Sequence, residues 1–420
     1  MGLINRVRMK QLIPSPEITP ELAARLREHG VTPLVDVVLA KDEPWWRRRA
    51  CAVALLGRVP EASVAGMMER VSDPDDVMEV RRQILEAIAT PDHAHSEQLL
   101  GWLRGLKPGQ PYDFDVAVLK ARAALHDVSV FPALSELAAD AWTHRRQAAE
   151  KALDDLIREL GSNAMLNEFG APTLEALAFQ QQRSLAARLL GVRLVHRAGG
   201  DVTAALGDSS VIVAQHAATL LSSATSGADA LWDRVHKRAP GHLWALVVLH
   251  RHGVDIRSEW EALGSPRIEL TGVPQDVREA IVRHYSPGQR ETDPRWILEA
   301  ALLGASSEPS DEEEAALIGR AETALREAGL KPGKPRHAGE VRHQGGGTFY
   351  EIETSVGTVT VSTLGPFFAA TGPAVKVLQD AGWRLIDERL GGIEFEKLHV
   401  YFFGRRDPLP VQDLLFYWQD

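Results

Sequence analysis

One type of segment recurs along the first three quarters of the chain, and it constrains the fold more than any other feature. Arg47-Arg48-Arg49-Ala50-Cys51-Ala52-Val53-Ala54-Leu55-Leu56-Gly57 is basic at its start, Ala-rich in its middle and closed by Leu-Leu-Gly. Similar segments stand at 79–89, 117–127, 144–156, 183–192, 213–223 and 243–253, with weaker copies at 277–286 and 296–304. The centres of the clear copies lie roughly 28 to 37 residues apart, the spacing of helical-repeat arrays. A second helical pattern runs between them, at 62–71, 96–106, 131–142, 227–237 and 257–263. In the third of these, Phe131, Leu134, Leu137, Ala138 and Ala141 recur at the spacing of one helix face. Asp73-Pro74-Asp75-Asp76, Pro108-Gly109-Gln110-Pro111, Gly199-Gly200 and Pro240-Gly241 break the units apart.

The pattern predicts a stack of helical hairpins. Ala50, Ala54, Ala148, Ala149, Ala186, Ala187, Ala217 and Ala218 are small enough to let paired helices approach closely. A single hairpin exposes its apolar face, so each unit must bury that face against the next. Residues 14–41 read as the N-terminal cap. There Thr19-Pro20-Glu21 marks a helix start, with proline at the first helical position, and His29-Gly30 marks its stop.

Two copies carry a family resemblance. Ser72-Asp73-Pro74-Asp75 followed by Val80-Arg81, and Leu206-Gly207-Asp208 followed by Ala217-Ala218 and Leu220-Leu221, resemble HEAT-like repeats of the type also found in phycobilisome lyases. The resemblance covers about residues 40–305. It implies a mainly α, armadillo-type solenoid that acts as a scaffold or binding surface, with enzymes and regulators a minority. The di-iron hydroxylase branch would require His-Glu pairs at repeat spacing, and none recurs.

The end of the chain differs. Residues 331–347 are rich in Pro, Gly and positive charge and nearly devoid of apolar side chains, so they read as a solvated linker. Lys331, Lys334, Arg336 and Arg342 are the alternative there, as phosphate contacts. From Thr348 the periodicity becomes two. Segments 349–354 and 358–363 predict a β-hairpin, 374–381 a helix, 383–387 a strand, and 393–403 a long strand. The type of 411–418 stays open. Twelve of the 26 aromatic residues lie in 348–420, as a unit of this size needs to bury enough area. Phe416, Tyr417 and Trp418 cannot all point inward on a strand, which makes them a candidate docking face. The expected organisation is therefore a solenoid over 1–330 with its cap at 1–41, a linker over 331–347, and a small α+β domain with an antiparallel sheet over 348–420.

Chemistry is sparsely marked. The single cysteine, Cys51, excludes an intrachain disulfide framework and multi-cysteine metal sites. It lies in an Ala-rich helix, where a buried thiol is usually inert. Asp92, His93 and His95 have a metal-like spacing but no partner motif, so no metal is expected. His250 and His252 point apart on a helix. No Gly-x-Ser-x-Gly, dinucleotide fingerprint or EF-hand loop is present. Asp311 to Glu314 suit the first turn of an exposed helix. No catalytic residue and no cofactor is expected, and the balance leans away from an enzyme.

The sharpest local feature is Trp45-Trp46 followed by Arg47, Arg48 and Arg49. Arg81, Arg82, Arg145, Arg146 and Arg183 hold similar places in later units, and stacking would align them as a basic stripe. Some HEAT-like DNA glycosylases present Trp and Arg this way, and aromatic and basic side chains suit nucleic acid. A net charge of −10 weighs against that partner. The leading expectation is a non-enzymatic protein-binding scaffold whose partner is another protein, with a nucleic-acid or DNA-damage protein as the alternative. Met1 to Lys10 lacks the apolar core of a secretory signal, and Arg6 stands where myristoylation wants Ser or Thr. The apolar run 243–249 is too short to span a bilayer. No membrane partner and a cytoplasmic location are expected.

Overall fold

The computed structural model describes residues 12–90, 96–106, 113–140, 142–223, 227–304, 310–402 and 405–419. Among them the chain is mainly helical, with a small region of sheet near the C-terminus. It divides into two compact units, Met1–Gly191 and Val192–Asp420.

The first unit begins as its sequence predicts. The Thr19 hydroxyl accepts from the Leu22 amide at 3.2 Å and opens the helix Pro20–Arg27, with proline in the first turn. Short helices then alternate: Val31–Leu39, Trp45–Ala54, Glu61–Ser72, Met78–Ile88, Ser96–Gly105, Phe114–Ala124, Phe131–Ala138 and Thr143–Leu160. The Ala-rich members contact one another in series. Trp45–Ala54 lies against Met78–Ile88, that helix against Phe114–Ala124, and that in turn against Thr143–Leu160. Ala50, Ala54 and Ala149 are fully buried at these close approaches, with Leu55, Ile84, Leu85 and Phe114 filling the space between.

The second unit has its own set of helix contacts. Val211–Ser222 packs on His242–Arg251, and that helix on Pro294–Leu303, which also contacts Gln275–Tyr285. The helix Asp311–Glu327 starts in a capping box of Ser310 and Glu313, so the acidic run lies in its first turn as expected.

The strands follow. β1 (Arg336–His337), β3 (Phe349–Thr354), β4 (Gly357–Ser362), β5 (Phe367–Ala369) and β6 (Arg384–Leu385) form one sheet in the order β1-β3-β4-β5-β6. β2 (Gly346–Gly347) pairs with β9 (Trp418–Gln419), and β7 (Glu394–Phe402) with β8 (Arg405–Pro410). The expected antiparallel sheet is mixed, because β5 and β6 run parallel across the helix Pro373–Asp380 that joins them. Register sets the two faces. Ile352 opposes Val359, and Val361 opposes Phe368. All four pack on Ile318, Leu325 and Leu378 of the covering helices.

Residues 331–347, expected as a linker, carry β1, the helix Ala338–Arg342 and β2. Their glycines serve close approach. A Cβ at Gly347 would collide with the Tyr417 carbonyl and the Ala338 side chain. The compact units also divide at Gly191, not at 330–348. The helices Gln275–Tyr285 and Pro294–Leu303 share one core with β7 and β8: Trp296 stacks near Phe395 with centroids 5.5 Å apart, and Tyr285 donates its hydroxyl to the Leu414 carbonyl at 2.7 Å.

Candidate functional site

The recurring arginines hold the helices together. Arg48, Arg81, Arg146, Arg188 and Arg278 are each the fourth residue of a helix. Each sends its guanidinium back to a main-chain carbonyl: Arg48 to Val38 at 3.1 Å, Arg81 to Val71 at 2.7 Å and Arg146 to Asp140 at 2.9 Å. Arg188 reaches Gln181 at 3.0 Å, and Arg278 reaches Ile268 at 2.9 Å. Val38 and Val71 lie in the last turns of their helices, where carbonyls lack intrahelical partners. Arginine suits this work because its fork of five donors stays charged and reaches several acceptors at once. Arg48 also bonds Asp76 at 2.7 Å, Arg81 lies 4.6 Å from the Phe114 ring centroid, and Arg278 the same distance from that of Trp296. Sequence reading picked Arg48, Arg81 and Arg146 from this set and missed Arg188 and Arg278. Their place at the fourth residue of a helix was the available signal.

Most of the other arginines singled out from sequence are also engaged. Arg47 donates to the Ile13 carbonyl at 3.2 Å and approaches Glu43. Arg145 sits among Asp113, Asp115 and Asp140 at 2.6, 2.8 and 3.1 Å. Burial disfavours its charge, but the bonds from Asp115 and Asp113 outweigh that and raise its pKa. Arg183 donates to the carbonyls of Ala176, Phe169 and Gly170. Arg49 and Arg82 are half-buried. Trp45 and Trp46 meet edge to face at 6.1 Å and pack against the core of their unit.

The helices Phe114–Ala124 and Thr143–Leu160 border a groove of about 570 Å³. Its floor is Ala123, Ala148, Ala152 and Leu156, and its rim carries Lys120, Lys151, Asp155 and Glu159. Lys151 and Asp155 pair at 2.9 Å across one helical turn, and Lys120 reaches Glu86 at 2.6 Å.

In the second unit the three C-terminal aromatics point to different places. Phe416 and Trp418 face a pocket of about 300 Å³ beside Arg342 and Phe402. Arg342 lies 5.8 Å from the Trp418 ring centroid, and the Trp418 indole donates to the Gln344 carbonyl at 3.0 Å. Tyr417 faces a second pocket, of about 330 Å³, with His284, Tyr285, Gln289, Tyr401 and Gln419. Its hydroxyl engages the Tyr401 carbonyl and the Gln419 amide, and burial pushes its pKa up to about 12. Gln289, Tyr401 and Gln419 come from distant points of the chain, and no local motif announces their meeting.

Cys51 is fully buried, and burial, with Glu43 nearby, pushes its thiol up to about 12. Among the described residues no group of His, Cys, Asp or Glu could hold a metal ion, and no helix is long and apolar enough to cross a membrane. Asp92, His93, His95 and Phe403, the turn 108–111, and Arg6, Arg8 and Lys10 lie outside the described residues.

The geometry defines the class coarsely, as a mainly helical protein with a small mixed-sheet region. No protein-family model, no curated protein and no solved structure matches the chain.

Proposed function

We propose that the chain is a non-enzymatic interaction protein, a HEAT-like solenoid whose surface holds a segment of a partner protein. The C-terminal α+β region would give a second contact through Phe416, Tyr417 and Trp418. One observation carries the reading: the groove between Phe114–Ala124 and Thr143–Leu160. Its floor is built of small side chains and Leu156, so bulky apolar groups from outside can fill it. Its rim alternates charge, with Lys120 and Lys151 against Asp155 and Glu159. A partner helix with large apolar side chains on one face and mixed charge beside them has the matching chemistry. The test is capture of a partner from native lysate by the wild-type chain and by Ala148→Trp, which fills the groove. The reading requires a stoichiometric partner that A148W loses while its melting temperature is kept.

The nucleic-acid reading has less support. Arg48, Arg81, Arg145, Arg146 and Arg183 are all bonded to main-chain carbonyls or carboxylates within the first unit. A cation already paired neutralises phosphate only by giving up its partner.

A further inference from the structure

The geometry points to a binding site for an organic ammonium ion, a primary amine on an apolar stem, in the pocket between Trp418 and the open face of the five-stranded sheet. The site does not depend on the partner groove, which lies in the first unit. Its floor, its walls and its charge each specify part of the ligand.

The floor follows from strand alternation. Ile352, Val359, Val361 and Phe368 point to the covering helices, so their neighbours Glu351, Thr360 and Ala369 point to the other face. Register places Glu351 opposite Thr360 and Thr360 opposite Ala369, a row across β3, β4 and β5. All three line the pocket, with Phe349 beside them.

The walls are aromatic. Phe349, Phe402, Phe416 and Trp418 border a volume of about 300 Å³, at the small end of ligand pockets. Trp418 is held in place by the protein itself. β9 pairs with β2, a close approach that Gly347 permits, and the indole donates to the Gln344 carbonyl at 3.0 Å. Ring faces carry negative potential and attract a cation together with its apolar stem. Arg342, 5.8 Å from the Trp418 ring centroid, already makes one such contact.

Charge decides the sign of the guest. Two carboxylates, Glu351 and Asp413, line the pocket against one cation, Arg342, which is exposed and screened by solvent. Glu351 has Arg336 at 3.7 Å, an arginine that lies nearer to Glu353, at 3.3 Å. The Asp413 side chain has no hydrogen bond or ion pair among the described residues, and the desolvation it suffers raises its pKa with no donor to offset it. An arriving ammonium group supplies that donor, as a charge-assisted hydrogen bond. An anion would meet the two carboxylates instead. A metal ion wants a shell of oxygens, and no group among the described residues provides one.

The experiment is saturation-transfer NMR on the full chain with benzylamine, benzyl alcohol and benzoate, one ring carrying a positive, a neutral and a negative group, followed by titration. Benzylamine is expected to bind about tenfold more tightly than either of the others. Asp413→Asn should weaken benzylamine about tenfold, the size of one charge-assisted hydrogen bond, and leave benzyl alcohol and the melting temperature unchanged. Should D413N fail to fold, Glu351→Gln is the second variant, with the same expectation. Nα-acetyl-lysine methylamide separates the sources of the amine: tighter binding than benzylamine assigns the site to a partner's lysine, weaker binding to a free amine. No binding of benzylamine, equal or tighter binding of benzoate or benzyl alcohol, or an unchanged benzylamine Kd in the folded variant would each overturn the proposal.

Discussion

Arg278 and Glu299 meet as a two-pronged pair inside the second unit, Nε to Oε1 at 2.7 Å and Nη2 to Oε2 at 2.6 Å. Arg278 is 7% exposed and Glu299 2%. The third arm of the guanidinium reaches the Ile268 carbonyl, and Trp296 flanks the group. Removing one partner strands the other charge away from water. Glu299→Leu should therefore cost about 3–5 kcal/mol of stability, read by urea denaturation. Arg278→Met combined with E299L should recover much of that loss, because no lone charge remains. A loss below about 1 kcal/mol in E299L, the size of a surface pair, would mean that the pair is solvated in solution.

His216 gives the second unit a pH dependence. Burial, then Arg193, Arg290 and His196 nearby, lower its pKa from 6.5 to about 4. The unfolded chain thus takes up a proton at a higher pH than the folded one. Stability from this group is full above pH 6.5 and falls as the pH drops from 6.5 toward 4. His216→Gln should flatten that part of the melting-temperature profile. A profile of unchanged slope would assign the dependence to other groups.

Asp127 acts in the first unit, at lower pH. Burial opposes its charge, but bonds from Arg104, Ser129 and Arg122 outweigh it and hold the carboxyl well below the usual range. A carboxylate lowered on folding contributes stability that is present above its unfolded pKa of about 3.9 and is lost as the pH falls below it. Asp127→Asn should lower the melting temperature at pH 7 and reduce the acid sensitivity below pH 4. Equal sensitivity in both proteins would contradict the assignment.

The basic segment at 47–49 is testable directly. Arg47→Ala, Arg48→Ala and Arg49→Ala together should lower the melting temperature, since Arg48 ties Val38 and Asp76 to its helix. Neither wild type nor variant should bind duplex DNA at low salt. Tight binding with a steep salt slope, lost in the triple variant, would restore the nucleic-acid reading.

How much of this was legible in the sequence depends on the range of the interactions. The Thr19 cap, the acidic first turn after Ser310 and the hairpin of β3 and β4 rest on neighbours a few residues apart, and pattern shows them. Arg48 and Arg81 were visible as residues, but not as struts. A basic residue at a helix start looks the same whether it faces solvent or a carbonyl ten positions back. The glycines at 345–347 read as flexibility because composition does not reveal that Tyr417 passes beside Gly347. Parallel pairing of β5 with β6 follows from a helical crossover, which alternation alone does not specify. The pocket under Tyr417 joins Gln289, Tyr401 and Gln419 across more than a hundred residues, and only folding brings them together.

The proposed function stands on reception of a partner segment by the groove over Ala148 and Ala152. Its most direct test is quantitative capture from native lysate by wild type, by A148W and by a control, Glu175→Ala, an exposed residue outside the groove. Wild type and E175A should each retain one partner at fixed stoichiometry, and A148W at least tenfold less at equal melting temperature. The same recovery from all three proteins, or no stoichiometric partner from any of them, would contradict it.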